Sequence, residues 1–158
     1  MPPKPFADLR EFDLDRIAYG PEEIRKRNPH RHEMELLTGV IAFEPDRGLI
    51  IGEHRAREDA FWVRGHIPGR PLFPGVLMVE LAAQLCSFYW RAQYPDMEKF
   101  FGFGGIENTR FRGTVRPGDR LIVVGKSIEV KPRRAIFDAQ GFLGDTMVFE
   151  TRIIGLPF

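Results

Sequence analysis

GHIPGRPLFPGVLMVELAAQ, residues 65–84, opens as a loop dense in proline and glycine and ends inside an apolar helix. The spacing predicts a helix from about Pro74 to Gln93, with Leu77, Met78, Leu81, Ala82, Leu85 and Phe88 covering most of its circumference. A helix that is apolar on nearly every side belongs in a core. Tyr94-Pro95-Asp96 closes it, because the residue before a proline disfavours helical backbone. One carboxylate, Glu80, lies inside this run, and Gln84 follows one turn later on the same face.

Working outward, the helix is flanked by segments of a different period. Residues 36–44 and 48–56 read as two strands joined at Pro45-Asp46-Arg47-Gly48. Beyond the helix, residues 106–115, 120–130, 134–143 and 146–154 read as four more, separated by Pro117-Gly118-Asp119, Pro132 and Gly144-Asp145. PEEIRKRN, residues 21–28, reads as a short helix with proline in its first turn. The expected class is α+β: a curved antiparallel sheet of about six strands wrapped around one long helix. At 158 residues the chain suits a single domain over 21–158, preceded by a Pro-rich, charged arm over 1–20.

Composition narrows the class of function. A net charge of +1 argues against a protein built wholly for nucleic acid. The single cysteine, Cys86, excludes an internal disulfide and a cysteine zinc set, and a reducing cytoplasm is the expected location. No membrane span is expected, since the most apolar stretch carries Pro71, Pro74 and Glu80. His30, His32 and His54 match no established metal spacing, so no metal is expected.

The chemistry concentrates in the opening stretch. A buried carboxyl is costly unless paired or protonated, and burial raises its pKa, so Glu80 is expected as a proton donor. The Glu80–Gln84 pair also fits a purely structural polar stripe. His66 offers an imidazole able to act as a base near neutral pH, held by a loop in which Gly65, Pro68, Gly69, Pro71, Pro74 and Gly75 restrict the backbone. Pro74-Gly75-Val76 open the helix, where backbone N–H groups lack partners and the helix dipole is positive. The Gly75 amide can hold a carbonyl oxygen that gains charge. Base, acid and oxyanion donor together suit β-elimination beside a carbonyl.

The stretch resembles the central motif of the (3R)-hydroxyacyl-[acyl-carrier-protein] dehydratases, roughly GHFPGxPxxPGVLxxEAxAQ. NPHR at 28–31 is similar to that family's LPHR, and GIENTRFRGTVRPGDRL at 105–121 to its GIDxARFRRPVxPGDxL. The resemblance implies a hot-dog fold and a homodimer, or a dimer-based higher oligomer such as a trimer of dimers. Each site would join the His66 of one subunit to the Glu80 of the other. It implies catalysis by His66 and Glu80, substrate contact by Phe73, Gly75, Val76 and Gln84, no cofactor, and an acyl carrier protein as partner. The basic segment from Arg110 to Arg134 carries eight cations against two acids; solvated strand faces explain part of this. The sharper reading is a carrier-docking patch of Arg112, Arg116, Lys131, Arg133 and Arg134. The activity implied is dehydration of 3-hydroxyacyl thioesters to trans-2-enoyl thioesters in fatty-acid or related lipid synthesis. A dehydratase of a specialised polyketide or aryl-polyene pathway, or a non-catalytic acyl-binding subunit, are the alternatives. Departures stand at Ile67 and Trp62, where phenylalanine is usual, at Thr38, where aspartate is usual, and at Gly102, where a bulky aromatic is common.

Overall fold

The computed structural model describes all 158 residues. Six strands, β1 (Gly39–Glu44), β2 (Leu49–Arg55), β3 (Phe101–Phe111), β4 (Arg120–Lys131), β5 (Arg134–Leu143) and β6 (Thr146–Pro157), form one sheet in the order β1-β2-β4-β5-β6-β3. Every neighbouring pair is antiparallel. After β2 the chain leaves the sheet, passes through the long helix α2 (Gly75–Gln93), lays β3 at the far edge and returns to place β4 beside β2. A shorter helix, α1, covers Pro21–Arg25. β3 starts at Phe101, five residues ahead of the 106 read from sequence, because the glycines of GFGG hide its alternation.

The sheet encloses α2. Leu81, Ala82, Leu85, Cys86, Phe88 and Trp90 have no measurable exposure, and full burial of each large apolar side chain contributes roughly 1.5–3 kcal/mol. Close approach depends on Gly52: a Cβ there would sit 2.7 Å from Leu85 Cδ1 and 2.8 Å from Leu37 Cδ1. The far end of α2 is tied to β4, where Trp90 Nε1–H donates to Lys131 O at 3.0 Å. Burial pushes the Cys86 thiol well above its ordinary pKa, so it acts as a packing residue.

The outer face of the sheet carries a second apolar cluster: Ala7, Ile41, Leu49, Ile51, Ile122, Val124, Phe142 and Met147. Phe6, Leu9, Phe12 and Leu14 of the arm pack against it. The arm is anchored by Gln140, which accepts from Phe6 N–H at 3.0 Å and donates to Lys4 O at 3.1 Å. Arg120 bonds Leu14 O and pairs with both Asp15 and the buried Glu53. With apolar contacts on both faces, β2 is buried along all but its last residue.

Candidate active site

Glu80 lies on the α2 face turned toward β3, beside a cavity of about 360 Å³. Pro29, His30, Ala83, Phe100, Phe101, Gly102, Phe103 and Ile153 line it with Glu80. The carboxylate is 19% exposed. Gln84 Nε2–H donates to Glu80 Oε1 at 3.0 Å, and His30 Nε2 lies 3.3 Å from the same oxygen. A carboxylate oxygen accepts, so His30 carries its proton on Nε2. Its Nδ1 is buried without a partner.

In the free chain this environment opposes the protonated form of Glu80. Burial pushes its carboxyl up, but hydrogen bonds from His30 and Gln84, with the positive charge His30 can carry, outweigh burial and hold it below the usual carboxylate value. Glu80 is therefore ionised near neutral pH in the free chain. Replacing His30 by alanine removes two of the lowering influences, so the Glu80 pKa will rise; a carbon-13 NMR titration of the carboxyl reads the shift. An unmoved value would mean that His30 is only a neighbour. Sequence reasoning weighs His30 only as a metal ligand; the NPHR match at 28–31 is the signal for its place beside Glu80.

His66 is exposed, on the loop before α2. Its Nδ1 lies 2.7 Å from Leu72 O. A carbonyl only accepts, so Nδ1 bears the proton and Nε2 keeps a free lone pair, the form a general base requires. The loop is braced by His66 N–H to Trp62 O at 2.8 Å and Leu72 N–H to His66 O at 2.8 Å. His66 is not among the residues lining the Glu80 cavity.

The other expected contacts divide. Gly75 and Val76 begin α2 with no side-chain cap, and neither N–H bonds an acceptor elsewhere in the chain. The Phe111 ring stands 3.0 Å from where a Gly75 Cβ would be. Phe73 is 2% exposed, stacked on His54 at 4.6 Å and tilted against Trp62 at 5.4 Å. It supports the His66 loop from below. Gln84 is bonded within the chain. Its Oε1 accepts from Leu36 and Leu37 N–H, both at 3.1 Å, and its Nε2 donates to Met34 O and Glu80. All four bonding positions of the amide are used, so Gln84 orients Glu80 and staples residues 34–37 to the helix. His54 donates from Nδ1 to Leu36 O at 2.6 Å, and burial holds its ring below the ordinary histidine value.

The proposed docking cations fall into two groups. Arg112 and Arg116 flank Val115, whose carbonyl accepts from Phe73 N–H at 2.8 Å beneath the His66 loop. Lys131, Arg133 and Arg134 occupy the β4–β5 turn at the other end of β4, whose 12 residues extend roughly 35 Å. Within one chain they form no single patch. Arg112 is paired with Glu150, while Lys131 and Arg134 share Glu129.

A sheet wrapped around one helix, with a carboxylate on that helix and an imidazole on the loop before it, defines a hot-dog protein with acid–base groups. A family model described as the FabA-like domain matches residues 28–152. The chain is 34% identical over 135 residues to the 3-hydroxyacyl-[acyl-carrier-protein] dehydratase FabZ of Paracidovorax citrulli, covering 84% of this chain and 92% of that one. It is 30% identical over 128 residues to the FabZ of Desulfotalea psychrophila, covering 80% and 85%. Among solved structures, the dehydratase heterocomplex ApeI:P from Xenorhabdus doucetiae aligns with a TM-score of 0.73 at 15% identity, over 85% of this chain and 90% of that one; this likeness shows the fold alone. The chain belongs to the FabA-like domain family.

Proposed function

We propose that the protein dehydrates 3-hydroxyacyl thioesters carried on acyl carrier protein, in fatty-acid biosynthesis, yielding trans-2-enoyl thioesters. The observation that carries this reading is the Glu80 carboxylate, oriented by His30 and Gln84 at the wall of an aromatic-lined cavity. The base comes from a second copy. β3 is a free sheet edge with Phe103, Ile106 and Phe111 exposed, and unpaired apolar edges favour strand-to-strand association. In a two-fold dimer joined there, the His66 of one subunit serves the Glu80 of the other.

His66 Nε2 takes a proton from the carbon beside the thioester carbonyl. The Gly75 N–H donates to the carbonyl oxygen as negative charge builds there. The C–O bond to the β-hydroxyl breaks, and the hydroxyl leaves as water with the proton held by Glu80. The pair carries one proton throughout: on Glu80 before dehydration and on His66 after it. Glu80, ionised in the free chain, therefore takes up this proton before dehydration. An acyl chain that displaces water from the cavity deepens burial, the influence that raises the Glu80 pKa.

The carrier docks at the end that holds His66, where Arg64, Arg70 and Arg116 are exposed and unpaired beside Arg112. Steering of an acidic carrier by these charges weakens with salt. The test is hydration of trans-2-enoyl thioesters, on carrier protein and on coenzyme A, across a range of ionic strengths. Turnover on the carrier, with a KM that rises with salt, is the expected result. A folded protein with no turnover on either donor would overturn the reading.

A further inference from the structure

His54, on β2, reaches both halves of the acid–base arrangement within one chain and is part of neither. It is 6% exposed. Its ring lies flat on Phe73, with centroids 4.6 Å apart and an interplanar angle of 16°. Phe73 directly follows Leu72, whose carbonyl holds His66 Nδ1 and whose N–H donates to His66 O. Trp62 packs on the same Phe73 ring, and the Trp62 carbonyl accepts from His66 N–H. The hydrogen bonds of His66 thus run to residues in this stack or next to it.

The edge of the His54 ring serves the other half. Its Nδ1 lies 2.6 Å from Leu36 O, and a carbonyl only accepts, so Nδ1 carries the proton. Leu36 N–H donates to Gln84 Oε1 at 3.1 Å, and Gln84 Nε2–H donates to Glu80 Oε1 at 3.0 Å. His54 Nε2 is buried with no partner in the chain. Such a nitrogen costs stability, and a side chain that served packing alone would avoid that cost. Phenylalanine would supply the flat face without the donor. Asparagine, whose Nδ2 is bonded to Cγ as the histidine Nδ1 is, would supply the donor without the face.

We propose that His54 is a positioning residue for both His66 and Glu80 of its chain: its face seats the loop that carries His66, and its Nδ1–H holds the segment that orients Glu80 through Gln84. The catalytic roles of His66 and Glu80 rest on the dehydratase reading; the contacts of His54 do not. Two variants separate the contacts. His54→Asn keeps the bond to Leu36 and loses the stack. His54→Phe keeps the stack and loses the bond. Misplacing a reacting group by about an ångström slows turnover by up to roughly 100-fold. Each variant is expected to lower kcat by roughly 10–100-fold with KM little changed, as loss of an interaction made only in the transition state does.

The test reads the two halves separately in the folded protein. Nitrogen-15 signals of the His66 ring, assigned with His66→Ala, report its bond to Leu72. A carbon-13 titration of Glu80 reports its bond from Gln84. His54→Asn is expected to move the His66 signals and leave the Glu80 titration in place. His54→Phe is expected to leave the His66 signals and raise the Glu80 pKa, since the Gln84 bond that lowers it weakens. Turnover of trans-2-enoyl thioesters is measured alongside. Folded variants in which neither reporter moves, or in which kcat equals that of an active parent, overturn the proposal. Both reporters moving together in each variant with a lowered Tm, or neither variant folding, would make His54 a core residue and overturn it as well. If the reporters divide as expected while the parent turns over no thioester, the dehydratase reading fails and the positioning stands on the NMR result.

Discussion

His66→Ala and Glu80→Gln will each lower turnover by roughly 10²–10⁴-fold, the range supplied by a positioned acid or base, with the fold retained. His66 is exposed and its side chain bonds only Leu72 O, so its loss leaves no cavity in a core. Glutamine at 80 keeps an oxygen to accept from Gln84 and loses only the ionisable group. The decisive result comes from mixing. If each site draws its histidine and its glutamate from different subunits, a mixed dimer of the two inactive variants holds one intact site. Random pairing then restores roughly a quarter of parental turnover. Mixing by co-expression, with the mixed dimer isolated by two different tags, reads this directly. No recovery in an isolated mixed dimer would mean that both groups act from the same chain. The pH profile follows from the sign of the Glu80 shift. A carboxyl held below its ordinary value contributes stability above its unfolded pKa, and this is lost as pH falls through the folded one. Glu80→Gln should therefore flatten the acid side of the stability profile.

Removal of residues 1–15 will destabilise the protein by on the order of 3 kcal/mol, from the apolar surface that Phe6, Ala7, Leu9, Phe12 and Leu14 cover, less the chain entropy released. For a domain of this size that lowers Tm by about 6–12 °C. The expected loss rests on the outer-face cluster, in which Ile51 and Val124 are fully buried and against which Phe6, Leu9, Phe12 and Leu14 of the arm pack. Arg120 also loses its bonds to Leu14 and Asp15, leaving Glu53 as its single anionic partner. The newly bared face is an apolar patch of the kind that promotes association. Turnover measured well below the melting temperature should survive, since the Glu80 cavity opens on the other side of the sheet. Thermal unfolding followed by circular dichroism settles the point: a Tm unchanged within a degree or two would show that the arm adds no net cover.

Much of this was legible in the residues because it is local. The apolar circumference of 74–93 specified a buried helix, and period-two alternation specified four strands after it. Gly75 at a helix start and Glu80 on a helix face follow from spacing alone.

What only the tertiary structure decided involves partners distant in sequence. His30 reaches Glu80 because Gln84 bonds the backbone of residues 34–37 and Asn28 Nδ2–H donates to Gln84 O, pinning that segment along α2. The protonation of Glu80 could not be read from its apolar neighbours, since hydrogen bonds from His30 and Gln84 oppose burial and outweigh it. The Phe158 ring lies over Gly102 because β6 pairs with β3 at the sheet edge, a placement fixed by strand order. Periodicity reports which face of an element is apolar; strand order and register decide which side chains meet across it.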